Sequence, residues 1–229
     1  MRKINKYAQP PELKNWRQLA KQAGVNFTYE GLRDDAPVKK AVHTALLSEQ
    51  GYLCAYTGIR IDEISSHLEH VKARTYCTAD EKTDYQNLVA CYPIGGECEF
   101  GAFKKDDWPD YGKPSEVRLF IGPLDNQCET SFDFDDNGYI SSSAVNAGSS
   151  SVNDPAQKTI EKLALDHKEL NTRRKQAITG AIRPLGKPLT AEQAQVILAK
   201  IEQPKNGRLR EFCFVIEQAL ERHLQSLIK

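Results

Sequence analysis

A segment in the middle of the chain holds the residues best suited to chemistry: residues 67–91, HLEHVKARTYCTADEKTDYQNLVAC. It carries an adjacent carboxylate and imidazole, Glu69 and His70, followed by Asn87 and Cys91. A carboxylate can hold a divalent cation while a neighbouring imidazole takes a proton from water. A nearby amide can fix the imidazole ring by hydrogen bonding. The pattern is therefore typical of a metal-assisted phosphodiester hydrolase.

The composition predicts a soluble globular protein, since 40% of its 229 residues are apolar and 27% are charged. No apolar run approaches the ~20 residues needed to cross a bilayer. The basic start MRKINK has no apolar stretch behind it, so a signal peptide is not predicted. We therefore expect a cytoplasmic protein. In that reducing compartment the six cysteines are free thiols or metal ligands rather than disulfides.

Charge is unevenly distributed, although the total is zero. Ten Lys and Arg against five Asp and Glu give residues 1–60 a net charge of +5. Seven against seventeen give residues 61–153 a net −10, and fourteen against nine give residues 154–229 a net +5. An acidic centre repels a phosphate backbone unless a cation neutralises it. For any single run a solvated face is the simpler explanation. Together, the runs fit basic flanks, or a partner, holding a polyanion around a central metal.

Hydrophobic periodicity predicts helices on both sides of a small strand-containing centre. Helices are expected over residues 10–24 and 36–50, each ended by a glycine. A long helical pattern from residue 154 is followed by helices near 190–203 and 208–227. Strands are expected in a ribbon at 52–61, in a short segment leading into His70, at 116–124, and in a hairpin at 131–140 with Asn-Gly at its turn.

Four segments are predicted from this layout. Residues 1–50 form an N-terminal helical segment, and residues 51–140 form the core with its β-hairpin extension. Residues 141–153 are a Ser-rich linker, and residues 154–229 form a C-terminal helical segment.

The order Cys54, Glu69-His70, Asn87-Leu88, Cys91, Cys98 resembles that of the HNH, or ββα-metal, nucleases. Longer stretches, including LLSEQGYLCAYTG, DYQNLVAC and FIGPLDNQCETSFDFDDNGYI, make nearly the whole chain similar to the PtuB-like HNH proteins. Those are the nuclease halves of Septu-type anti-phage systems, some of them linked to retrons. The resemblance implies an α+β fold, with a small ββα-metal HNH core embedded between mostly helical N- and C-terminal segments.

The resemblance also implies roles for single residues. His70 would activate the attacking water as general base, and an ordinary pKa of ~6.5 suits it to that task. Glu69 would be a ligand of the one catalytic metal, Mg²⁺ or a similar divalent ion. Asn87 would orient the loop and the catalytic imidazole. His67 lies three residues before His70, and residues three apart in a strand point to opposite faces. We therefore predict His67 to be a surface or structural residue.

Many HNH proteins also hold a structural zinc through two CxxC pairs. Here the resemblance implies Cys54, Cys91 and Cys98 as ligands, but Thr57 replaces one cysteine of the first pair. Cys128 offers a fourth thiol for a tetrahedral Zn²⁺. Buried thiols used as small apolar residues explain the same pattern equally well.

The third residue of the HNH motif, usually a His or Asn on the following helix, is not evident. Oxygen ligands from Asp106, Asp107 or Glu99 could complete the metal shell. Alternatively, Phe103 stands where that His would be. The adjacent Lys104 and Lys105 could contact phosphate, although exposed lysine pairs are more often simple solubilising charge.

The function implied by the resemblance is metal-dependent cleavage of DNA or RNA, tRNA included, as the effector of an anti-phage complex. Its partners would be a PtuA-like ATPase of the ABC/SMC type, the nucleic acid substrate and, in retron-linked systems, a reverse transcriptase with its msDNA. The alternative is a catalytically degenerate, zinc-ribbon-like adaptor or binding module in the same complex. A free-standing nuclease is a third possibility.

Overall fold

The computed structural model describes residues 1–25, 27–106, 108, 112–143 and 154–228. Short 3₁₀ turns lie at Arg74–Tyr76, Glu81–Thr83, Tyr85–Asn87 and Pro184–Gly186. The described helices and strands, in chain order, are α1 (Pro11–Gln22), α2 (Tyr29–Asp34), α3 (Ala36–Glu49), β1 (His67–His70), β2 (Leu88–Cys91), α4 (Ala102–Asp106), α5 (Pro114–Val117), β3 (Phe132–Phe134), β4 (Ile140–Ser142), α6 (Pro155–Lys162), α7 (Lys168–Ile182), α8 (Ala191–Leu198) and α9 (Cys213–Ile228). This mixture of helices and small sheets confirms the α+β class.

The N-terminal helices form where capping and apolar periodicity agree. Proline occupies the first turn of α1, and Gly24 follows the helix at φ +64°. The Asp35 side chain accepts a hydrogen bond from the Val38 amide (3.2 Å) and caps α3. Both predicted helices are thus confirmed. The short α2, capped by Thr28, was not predicted because six residues are too few for a clear apolar stripe.

The central sheet is small. Strands β1 and β2 pair antiparallel, with His67 opposite Cys91 and His70 opposite Leu88. The expected ribbon at 52–61 turns at Thr57-Gly58 but pairs through a single bridge, Leu53 with Arg60. All four residues of β2 are buried, so this strand forms the floor on which α3 packs.

The segment 116–124 is not a strand, and that prediction was wrong. Its first residues belong to α5, which begins with a proline and a first-turn Glu116. The Glu116 carboxylate accepts a hydrogen bond from the Trp108 indole (2.9 Å). The following Ile121 amide donates to the Thr159 hydroxyl (2.8 Å) rather than to a neighbouring strand. Apolar content alone made this segment resemble a strand.

The C-terminal helices are shorter than predicted. The helical pattern from residue 154 divides into α6 and α7, because Ala164 takes a positive φ of 47°. The predicted helices at 190–203 and 208–227 are α8 and α9. The expected hairpin is confirmed as β3 and β4, with Gly138 at φ +81° in its turn. Of the predicted linker 141–153, residues 144–153 lie outside the described part of the chain.

A buried polar cluster ties the N-terminal chain to the central sheet. The Lys6 ammonium contacts the Glu49 carboxylate, donates to the Leu88 carbonyl (2.9 Å) and lies 3.8 Å from the Tyr85 ring centre. The Tyr85 hydroxyl donates to the other Glu49 oxygen (2.9 Å). Each buried charge is therefore paired, as burial requires. Among the described residues, no helix is long and apolar enough to span a bilayer.

Candidate active site

A cleft of about 670 Å³ runs along β1 and is bordered by helices α2, α3 and α4. Because side chains alternate along a strand, His67 and Glu69 share one face of β1 and His70 lies on the other. The adjacent Glu69 and His70 therefore do not point the same way, although both border this cleft. A strand edge that presents both faces to one cleft lets neighbouring residues take separate tasks there.

His70 is held in one tautomer by the backbone. Its Nε2 lies 2.8 Å from the Lys82 carbonyl oxygen. Because a carbonyl only accepts, Nε2 carries the ring proton and Nδ1 is the proton-accepting nitrogen of the neutral ring. The Tyr29 ring packs edge-on against the imidazole, with 4.5 Å between centroids. Burial lowers the pKa of His70 below its ordinary value, so the ring is neutral near pH 7.

Asn87 fastens the loop that supplies the Lys82 carbonyl. Its Oδ1 accepts a hydrogen bond from the Lys72 amide (2.8 Å), at the start of the loop. Its Nδ2 donates to the Glu81 carbonyl (3.3 Å), one residue before Lys82. Among the described residues, Asn87 makes no hydrogen bond to the imidazole; it acts on the ring through the loop.

Glu69 is a largely buried carboxylate, with 12% of its side chain exposed, and Lys105 and His67 are its neighbours. The Lys105 ammonium contacts its Oε1, and His67 Nε2 lies 3.8 Å from its Oε2. Burial alone would raise the pKa of Glu69, but Lys105 and then His67 outweigh burial and hold that pKa below its ordinary value. The carboxylate is therefore charged, and it requires a cation beside it.

Lys105 was expected to be exposed, and that prediction was wrong: only 3% of the residue is accessible. Its ammonium also contacts the His70 carbonyl and lies 3.2 Å from the Tyr56 hydroxyl. The short helix α4 places Lys105 under β1, and no local sequence pattern predicts its long-range contact with Glu69.

His67 belongs to the site more closely than its predicted surface or structural role implied. Its Nδ1 hydrogen-bonds the Pro93 carbonyl, which leaves Nε2 towards Glu69. The Phe103 ring packs edge-on against it, with 5.5 Å between centroids. Burial lowers the pKa of His67, but Glu69 and the Pro93 carbonyl more than offset it, so that pKa lies above its ordinary value. The two-residue spacing of His67 and Glu69 in a strand was the signal that places them together.

The donor set suits a hard divalent cation better than zinc. Mg²⁺ is commonly held by one or two carboxylates, with water and substrate phosphate as its other ligands. Glu69 supplies one carboxylate, and Asp106 borders the same cleft. Among the described residues, no three His, Cys, Asp or Glu side chains are grouped closely enough to enclose a metal by themselves. Asp107, another predicted ligand, lies outside the described residues, and Glu99 pairs with His167 (3.1 Å) instead.

The cysteines do not form a tetrahedral set in the described structure. Cys54 and Cys91 are neighbours, and Cys54 Sγ accepts the Tyr92 amide proton (3.3 Å). Burial opposes ionisation of Cys54, but hydrogen bonds, first from Cys91, lower its pKa to about 6. Cys128 lies instead against the Met1 carbonyl, and Cys98 does not join a three-ligand group. The zinc site remains a prediction, and the residues in place do not fit one.

Three cationic side chains stand at the rim of the cleft: Arg33, Lys39 and Arg74. All three are exposed. Arg74 lies 3.6 Å from Glu30 and stacks over Tyr29, the residue that packs on His70. Arg33 pairs with Asp34 (3.0 Å), and Glu63 also lines the cleft, so the rim carries charges of both signs above the Glu69 carboxylate. No family model matches the chain, and no curated protein is similar enough to be matched.

Proposed function

We propose that this cleft is the active site of a metal-dependent endonuclease of the HNH type, which hydrolyses phosphodiester bonds of nucleic acid. The observation that carries the proposal is the setting of His70. Its ring is neutral, its Nε2 is fixed by the Lys82 carbonyl, and its Nδ1 is the nitrogen left to accept a proton. That arrangement is what a general base needs.

In this proposal, His70 takes a proton from the attacking water at Nδ1. Asn87 keeps the Lys72–Lys82 loop in place, and through that loop it keeps the imidazole oriented. A misplaced ring would lose much of the rate, because general-base catalysis depends on hydrogen-bond reach to the reacting proton. Tyr29 packs on the ring and helps to exclude bulk water.

Glu69 is the proposed metal ligand, and Asp106, which borders the same cleft, offers a further oxygen donor. A divalent cation, when bound, would stabilise the charge that develops on the phosphate and the leaving oxygen. Lys105 holds Glu69 as a charged carboxylate, poised to bind a cation. The exposed cations Arg33, Lys39 and Arg74 would meet the substrate's phosphates before the reacting group reaches the acidic floor.

The complex with a PtuA-like ATPase, and with retron DNA, rests on the sequence resemblance alone. It agrees with the acidic charge of residues 61–153, which makes the centre poor at capturing nucleic acid unaided. DNA and RNA both offer the phosphodiester that this site would attack. The adaptor alternative needs a zinc ribbon, and no observation on the described cysteines favours it.

The test uses the full chain, alone and co-purified with the product of the neighbouring ATPase gene where one is present. Labelled DNA, RNA and tRNA are incubated with Mg²⁺ or Mn²⁺. The variants are His70→Ala and Asn87→Ala, and the matched control is His223→Ala on α9, whose Nε2 hydrogen-bonds the Leu189 carbonyl. We expect at least ~10²-fold slower cleavage for His70→Ala and unchanged cleavage for the control.

Asn87→Ala should slow cleavage less than His70→Ala, because it acts through the loop. Thermal unfolding of each variant separates lost chemistry from lost structure. Cleavage at the wild-type rate by folded His70→Ala protein would refute the proposal. So would a complete absence of cleavage by the wild-type chain in its assembled complex with every nucleic acid tried.

A further inference from the structure

A basic groove lies away from the active-site cleft, between α8 and the turn closed by Lys205 and Arg208. Its volume is about 680 Å³. Five cationic residues line it and no acidic residue does: Arg60, Lys200, Lys205, Arg208 and Arg210. Its floor is apolar, with buried Ile201 and Leu209, and Val196 at its edge is 55% exposed. We call this surface the basic groove.

The charges of the basic groove are largely uncompensated among the described residues, although the Asp62 carboxylate interacts through space with Arg208. None of Lys200, Lys205, Arg208 and Arg210 has an ion-pair partner among the described residues. Arg208 instead stacks over the Tyr52 ring, with 4.3 Å from its guanidinium carbon to the ring centre. Like charges held together over an apolar floor raise the free energy of the isolated chain and favour an acidic, partly apolar ligand.

A second surface has the opposite character. An acidic pocket of about 240 Å³ is lined by four glutamates, Glu129, Glu202, Glu217 and Glu221, beside the rings of Phe134 and Phe214. Glu202 pairs with Arg2 (3.4 Å), but Glu217 and Glu221 have no ion pair among the described residues. Burial is the first cause that raises the pKa of Glu217, and the neighbouring Glu202 and Glu221 add to it.

The two surfaces flank one connection. Lys200, in the basic groove, and Glu202, in the acidic pocket, are two residues apart in the α8–α9 connection. A two-fold axis near this connection would set each basic groove against the acidic pocket of the other copy. Such an isologous contact requires two complementary surfaces close together on one chain. We propose that the occupant of the basic groove is the set of exposed glutamates at the rim of the acidic pocket of a second copy of this chain, in a symmetric dimer.

Nucleic acid is the other candidate for a basic groove, and the surroundings favour it less. A phosphate backbone gains nothing from the exposed Val196 or the apolar floor. On leaving the groove near Glu202 it would approach uncompensated carboxylates. A protein surface with glutamates and aromatic rings satisfies both the charges and the apolar area.

The test is charge reversal with rescue. One variant carries Lys200→Glu and Lys205→Glu, and the other carries Glu217→Lys and Glu221→Lys. The matched control, Lys168→Glu with Lys175→Glu, reverses two exposed charges on α7. Molar mass is measured by light scattering and analytical ultracentrifugation at about 0.05 M and about 0.5 M salt. The wild-type chain and the control should be dimers of the 25.7 kDa chain at low salt, dissociating at least tenfold more readily at high salt.

Each reversed variant alone should be monomeric, and an equimolar mixture of the two should recover a heterodimer, because every contact then again joins opposite charges. If the reversals unfold α9, the milder Glu217→Gln with Glu221→Gln should still weaken the dimer. A wild-type monomer at all accessible concentrations overturns the proposal, and so does a dimer that survives both reversals. Binding of a labelled oligonucleotide that depends on Lys200 and Lys205 in a monomeric chain overturns it in favour of nucleic acid.

Discussion

Two cations are buried almost equally in this protein, and their surroundings differ. Lys105 is 3% exposed and Arg174 is 2% exposed. Lys105 contacts a carboxylate, Glu69, and borders the cleft. Arg174 donates to the Leu165 carbonyl (2.8 Å) and to Asn171 Oδ1 (3.2 Å), and it has no ion pair among the described residues.

The partners of each cation distinguish a residue of the candidate site, Lys105, from a purely structural residue, Arg174. Around Arg174, neutral oxygens and the Phe134 ring, 5.1 Å away, surround the guanidinium, whose buried Nε has no hydrogen-bond partner among the described residues. Burial lowers the pKa of Arg174 to about 9, so it is still charged at neutral pH. Lys105 instead contacts the Glu69 carboxylate, which borders the cleft and is the proposed metal ligand. Arg174 is part of the fold, whereas a divalent ion could join or replace Lys105 beside Glu69.

The largest expected effect comes from Lys105→Met. It leaves the Glu69 carboxylate buried without its cation, and breaking a buried pair typically costs about 3–5 kcal/mol. Millimolar Mg²⁺ or Mn²⁺ should restore much of that stability, because the divalent ion then compensates Glu69. Denaturant unfolding with and without the ion measures both effects. The double change Lys105→Met with Glu69→Leu should lose the response to the ion; a response that persists would contradict the assignment of Glu69.

Arg174→Met should destabilise the fold by about 1–3 kcal/mol, because the Leu165 carbonyl and Asn171 lose a buried donor. Divalent ions should not change its unfolding midpoint. The same denaturant series, run beside Lys105→Met, gives this comparison directly. An equal stabilisation of both variants by Mg²⁺ would show that the two cations are not distinguished in the way proposed.

The pKa values of the two histidines of β1 should be shifted in opposite directions from the ordinary value. In the folded chain the pKa of His70 is lowered, so its contribution to stability is present above pH ~6.5 and is lost as the pH falls towards the folded pKa. The pKa of His67 is raised, so its contribution is present below pH ~6.5 and is lost as the pH rises through the folded pKa. NMR titration of the ring protons, assigned with His67→Ala and His70→Ala, measures both. Titration of both rings on the same side of ~6.5 would contradict the site electrostatics.

The smallest effect is expected at Cys98. Because it joins no three-ligand group among the described residues, Cys98→Ser should change stability by no more than about 0.5 kcal/mol. Metal analysis of the purified chain should find no stoichiometric zinc, and a chelator should leave the unfolding curve unchanged. One tightly held zinc, lost together with stability in Cys98→Ser, would instead support the structural zinc predicted from the sequence.

Local signals predicted much of this architecture. The stripes and caps of α1, α3 and α9 gave helices close to those observed, and the Asn-Gly step gave the β3–β4 hairpin. The strand expected at 116–124 failed because its first amides donate to carbonyls three or four residues back, and those of Ile121 and Gly122 donate to side chains. Apolar composition alone cannot distinguish a strand from a buried turn or a short helix.

The candidate site was predicted only in part. His70, Glu69 and Asn87 lie in one region, as their order along the chain suggested. The ion pair of Lys105 with Glu69 depends on how α4 packs beneath β1, a tertiary contact that a sequence pattern does not encode. Strand alternation predicts that His67 and Glu69 lie on the same face, whereas the prediction for His67 considered only its spacing from His70.

The most direct test of the central claim is chemical rescue of the proposed base. The rate of cleavage by the assembled His70→Ala protein is measured with Mg²⁺ at rising concentrations of free imidazole. If His70 acts only by accepting a proton, imidazole should restore part of the lost rate in His70→Ala and none of it in Glu69→Gln. A His70→Ala protein that cleaves at the wild-type rate without imidazole would contradict the account.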